Sequence, residues 1–155
     1  MNKIEILGGL LKRIDNFNMS NLDGRIVFQK TIYFLQEFKV NLGYGFSWYI
    51  YGPYSTSLAM SGFELIKKMG NLSEIKFTKK EYENNFQQFL IFLGSKKNDS
   101  NWLELLASLH FLKKIYPTES KEQIIARVMK KQPYLNKKEF CETGWKYLKE
   151  FKLVE

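Results

Sequence analysis

The chain has 155 residues, 45% of them hydrophobic and 16% aromatic, enough to build one domain over 1–155 and too much for a disordered chain. Its 24 basic and 16 acidic residues leave a charge of +8, but all the basic residues except Arg13, Arg25 and Arg127 are lysines, which suit phosphate contact or solubility rather than bidentate base reading. The longest apolar run, 89–93, falls short of the roughly 18 residues a membrane helix needs, no leader is recognisable and the single Cys141 requires no oxidising compartment, so a cytoplasmic protein is expected.

Ile4, Leu7, Leu10, Leu11 and Ile14 recur at helical spacing and predict an amphipathic helix over the first sixteen residues, ended by the polar stretch 16–24. A second helix begins near Asp23, with Val27, Thr31, Phe34, Leu35 and Phe38 on one face and Phe28 and Ile32 broadening it. Being apolar on most sides, it is expected at the centre. From Gly43 the period falls to two: Phe46, Trp48 and Ile50 alternate with Ser47, Tyr49 and Tyr51, which predicts a strand broken by Gly52-Pro53. Ser55 or Thr56 then caps a third helix carrying Leu58, Phe63, Leu65, Ile66 and Met69 and closed by Gly70. The run 75–78 is the expected second strand, since a lone strand leaves its backbone groups unpaired. Tyr82, Phe86, Phe89, Leu90 and Leu93 mark a fourth helix, ended by the polar segment 94–100. Three capping pairs, Asn101 with Glu104, Ser120 with Gln123 and Asn136 with Glu139, open helices over 101–116, 120–131 and 136–150, with Pro117 and Pro133 between them. The predicted class is mainly α (α+β): about seven helices around a central one, with a small β-hairpin or two-stranded element.

No set of residues suggests catalysis. His110, the only histidine, sits among helix-face leucines in LASLHFL and is expected at the edge of a packing surface. Cys141 has no local signature, and one Cys with one His cannot complete a zinc site. The carboxylates of Glu81, Glu83, Glu119, Glu122, Glu139 and Glu142 read as solvated helix faces, and no phosphate-cradling glycine motif occurs. The expectation is therefore a protein that is not an enzyme, with no metal and no cofactor.

Two binding readings remain. Residues 113–152 hold eleven basic and five acidic residues on three short helices, in the manner of a helix-turn-helix or winged-helix regulator, with Lys130, Lys131, Lys137, Lys138 and Lys146 facing nucleic acid. The last helix offers no Arg, and no Asn or Gln beyond Asn136, to read base edges, so such binding is expected to be weak and non-specific. The other reading rests on Tyr44, Phe46, Trp48, Tyr49, Tyr51 and Tyr54, which crowd a turn where small polar residues are usual. Tyr49, Tyr51 and Tyr54 either anchor a protein partner or staple the strand to the second helix through Lys30 and Tyr33; a rigid corner would serve both.

Gln29, Lys30, Tyr33 and Phe34 in the second helix, followed by the aromatic strand ending in Tyr51, Gly52 and Pro53, resemble the antitoxin SocA-like (Panacea) domain family over residues 28–58, and more loosely from Leu105 onward. Tyr49 stands where many members have Trp, and Tyr54-Ser55 where they have Val and a variable residue, which places the chain nearest the YwgA-type branch. The resemblance implies an antitoxin-like protein that binds and neutralises a toxin-like partner, or delivers it to a protease, without catalysis. The expected partner-binding residues are Lys30, Tyr33, Tyr51, Gly52 and Pro53, which match the family's motif, with Tyr49 and Tyr54, which rest on the chemistry of the tyrosine corner alone.

Overall fold

Five of the seven helices open on a side chain that accepts a hydrogen bond from the first turn, in a computed structural model that describes residues 1–155. These are α1 (Lys3–Ile14) with Asn2, α2 (Leu22–Glu37) with Asn21, α3 (Thr56–Lys68) with Ser55, α5 (Ser100–Ile115) with Asp99 and α6 (Lys121–Lys131) with Ser120. α4 (Lys80–Leu93) and α7 (Lys138–Glu150) begin without one. Ser120 and Gln123 form the predicted capping box. Asp99 caps α5 in place of the expected Asn101, and Asn136 closes a short 3-10 turn rather than opening α7. Gly70 likewise lies in a 3-10 turn after α3, which ends at Lys68.

The fold is mainly α with a small sheet. Its two antiparallel strands are β1 (Ser47–Tyr49) and β2 (Gly52–Tyr54), with Tyr49 opposite Gly52 and Trp48 opposite Pro53. Gly52-Pro53, expected to break the strand, instead begins the partner strand. The run 75–78 forms no strand, because side chains satisfy its backbone: Arg13 donates to the Ile75 carbonyl at 3.1 Å and the Phe77 amide donates to Glu83 at 3.1 Å. Arg13 also makes a two-pronged pair with Glu83 (2.8 and 2.5 Å), so one guanidinium joins α1, the 75–77 segment and α4.

One cluster of 34 buried apolar residues takes members from every helix. Its centre is shared. α2 is buried from Ile26 to Leu35 as expected, but α5 is buried without interruption from Trp102 to His110 and packs on α2, α6, α7 and β2. α3 turns Leu58, Gly62 and Leu65 inward and leaves Met60, Phe63 and Ile66 exposed, so Phe63 and Ile66 are not the core positions the spacing predicts. No helix is long and apolar enough to cross a membrane.

Candidate binding cleft

The hairpin is fixed by two consecutive residues of α2. The Gln29 amide donates to the Ser55 carbonyl and accepts from the Ser55 amide, both at 2.9 Å, which mimics a strand pairing with one side chain. Lys30, 1% exposed, donates to the Pro53 carbonyl at 2.7 Å. Pro53 has no N–H, so its one outward polar group is satisfied. Ile50 and Tyr51 form the two-residue loop without positive φ, and Gly52 absorbs the required twist at φ +94°. A Cβ at Gly52 would lie 2.6 Å from the Ser108 Oγ of α5, so this corner has room only for glycine.

In front of the pinned corner lies an open, mainly apolar cleft of about 260 Å³, bounded by the start of α2, the hairpin and α3. Leu22, Arg25, Ile26 and Lys30 line the α2 side, Tyr49, Tyr51 and Tyr54 the hairpin side, and Ala59 and Phe63 the α3 side, with Met19 and Phe28 below. Tyr49 and Tyr54 lean on one another with ring centres 5.3 Å apart. Tyr49 is 55% exposed and Tyr51 and Tyr54 are half-buried. Arg25 uses one terminal nitrogen on the Met19 carbonyl at 3.1 Å.

Behind the corner the polar groups are buried. Glu104, read in the sequence only as a capping partner, is 1% exposed and accepts hydrogen bonds from Gln132 at 2.7 Å and from the Tyr134 hydroxyl. The same Gln132 nitrogen reaches Ser108 at 3.0 Å, and Tyr134 lies against Tyr51. Burial pulls the Lys30 ammonium down to about 7, with the Glu104 charge opposing. Burial also raises the Glu104 carboxyl, against its hydrogen bonds from Tyr134 and Gln132 and the charge of Lys30.

Among the residues singled out in the sequence, the three tyrosines and Lys30 meet on the cleft. Gly52 and Pro53 are buried and position the tyrosines rather than face the surface. Tyr33 does not belong with them. It is 2% exposed and hydrogen-bonded to His110 Nδ1 at 2.7 Å, beneath Phe46 and Phe111, so it has no surface to offer a partner. His110 is buried rather than at an edge, and burial holds its imidazole down at about 4, hence neutral, despite Glu37 nearby. Lys130, Lys131, Lys137, Lys138 and Lys146 are all exposed; Lys131 lies over the Trp48 ring, and Lys146 lies beside the Lys121–Glu142 pair. Cys141 is buried, its Sγ 3.7 Å from the Leu135 carbonyl.

Arg25, Leu22 and Phe63 were not expected at a binding site from the sequence. A signal existed for Phe63 alone: the stripe Met60, Phe63 and Ile66, three apart along α3 and displaced from the Leu58–Leu65 side, marks a second apolar face. Set against known proteins, the chain matches no family model, no curated relative and no solved structure.

Proposed function

We propose that this protein is a non-catalytic interaction module, antitoxin-like, that binds and neutralises a partner protein, or delivers it to a protease, through the cleft bordered by Tyr49, Tyr51 and Tyr54. It acts in the cytoplasm and needs no cofactor for this. The observation that carries the reading is the convergence of three tyrosines with Leu22 and Phe63 on one open apolar cleft backed by a pinned corner. Contiguous exposed apolar surface rimmed by polar residues marks interaction sites, and tyrosine anchors lose little entropy when fixed. The resemblance of Gln29, Lys30 and the Tyr51-Gly52-Pro53 turn to the SocA-like family supports the same reading.

Purification of the tagged chain from its native host should recover one stoichiometric partner, and Tyr54→Ala should weaken that complex about thirtyfold, roughly 2 kcal/mol, with an unchanged circular dichroism spectrum. A Tyr54→Ala chain that keeps its partner, or loses it only by unfolding, removes the reading. The alternative reading is a nucleic-acid-binding transcriptional regulator; the five exposed lysines are compatible with phosphate contact and carry no means of base selection.

A further inference from the structure

The cleft carries a charge asymmetry as well as an apolar wall. None of its twelve lining residues is acidic, while Arg25 stands half-buried on the α2 side. One guanidinium nitrogen is spent on the Met19 carbonyl, and the group has five N–H donors, so its fork retains donors for a carboxylate. Glu64, the one carboxylate of α3, lies outside the cleft lining and is paired with Lys68 at 2.8 Å on the exposed side of the helix. Lys30 is 1% exposed with its ammonium turned onto Pro53, so burial rather than a lack of donors keeps it from an entering group. For the apolar part, a cavity of about 150 Å³ takes benzene, so about 260 Å³ accommodates one aromatic or branched side chain. The wall continues outward over Met60, Phe63 and Ile66, each more than half exposed.

We infer that the cleft receives an acidic, apolar segment of a partner protein: a bulky apolar side chain enters between Tyr54 and Phe63, and a neighbouring carboxylate is met by Arg25. This rests on the docking role proposed above and names the chemistry of the occupant. A second copy of the chain is a poor occupant, because two bodies each carrying +8 repel one another.

Three nine-residue peptides test it on the full chain at low salt: phenylalanine flanked by glutamates, phenylalanine flanked by lysines, and alanine flanked by glutamates. The glutamate–phenylalanine peptide should bind at least about tenfold tighter than either of the others, and should shift the Tyr49, Tyr51 and Tyr54 ring resonances. Arg25→Gln should reduce its advantage over the lysine peptide to less than about threefold, Arg25→Lys should keep most of it, and Ala59→Phe, which fills the cleft, should weaken it at least about tenfold. Equal binding of the glutamate and lysine peptides overturns the inference. So does equal binding of the two glutamate peptides, which would assign the attraction to the lysine surface, or a dimer that occludes the cleft. If Tyr54→Ala releases the native partner while the peptides are not distinguished, docking stands and this chemistry falls. If the peptides are distinguished but Tyr54→Ala keeps the native partner, the cleft is an acidic–apolar site and the partner docks elsewhere.

Discussion

Lys30 holds the Pro53 carbonyl from a site where its own charge is disfavoured, and that conflict is measurable. Its folded value of about 7 lies below the ordinary 10.5, so between these limits the unfolded chain binds more protons than the folded one. Stability should therefore rise with pH from about 7 towards 10.5 through this group, and Lys30→Met should flatten the rise; urea unfolding midpoints of both chains at pH 7, 8.5 and 10 read the difference. Gly52 is the other residue on which the corner depends. Gly52→Ala places a methyl group against Ser108 at a φ that L-residues avoid, and should cost about 1–3 kcal/mol, seen as a lower melting temperature. The sequence announced both residues by type, a glycine before proline and a lysine inside an apolar helix. A staple from the hairpin to the second helix through Lys30 is one of the two readings of the corner; what no period reports is that Lys30 and Gln29 grip the backbone of Pro53 and Ser55, 23 to 26 residues away, rather than the tyrosine rings.

Arg13 ties α1, the 75–77 segment and α4 together where a strand was expected. The pair is largely shielded, with 12% and 13% of the two side chains exposed, and the guanidinium also covers the Phe86 ring at 4.3 Å. Hydrogen bonds from Arg13 hold the Glu83 carboxyl down at about 2. A depressed carboxylate contributes its full stability above the ordinary 4.5 and loses it as pH falls from there through 2, so the pair is intact at neutrality. Arg13→Met should cost roughly 1–3 kcal/mol at pH 7 and move the midpoint of acid unfolding upward, followed by far-UV circular dichroism. Helices with one wet face were the readable ones: α1 and α4 show stripes at helical spacing, and their bounds agree within a few residues. α5 is enclosed on all sides, so its Glu104, Ser108 and His110, polar letters that suggest a surface, are in fact buried partners of Gln132 and Tyr33. Neither a capping pattern nor a period distinguishes a buried, paired carboxylate from a solvated one.

The whole molecule presents lysines rather than arginines to solvent, and lysine on a helix face meets phosphate without reading bases. Any affinity for duplex DNA should be alike for random and genomic sequences and should fall steeply between 50 and 200 mM salt, on the order of 10³-fold for six phosphate contacts; electrophoretic shifts at the two ionic strengths measure it. One sequence bound at nanomolar strength at physiological salt would promote the regulator reading. The site was half legible at this scale: an excess of tyrosine beside Gly-Pro pointed to the hairpin wall of the cleft, whereas the opposite wall, Leu22, Arg25 and Phe63, exists only once α2 and α3 are brought together. The corner itself is held from within, by Gln29 and Lys30 on its backbone, while Tyr49, Tyr51 and Tyr54 face outward and contribute no hydrogen bond to that hold. Under the docking proposed above, scaffold and recognition are separate: the outward rings could be exchanged over generations at little risk to folding, and a new partner acquired without rebuilding the domain that displays it.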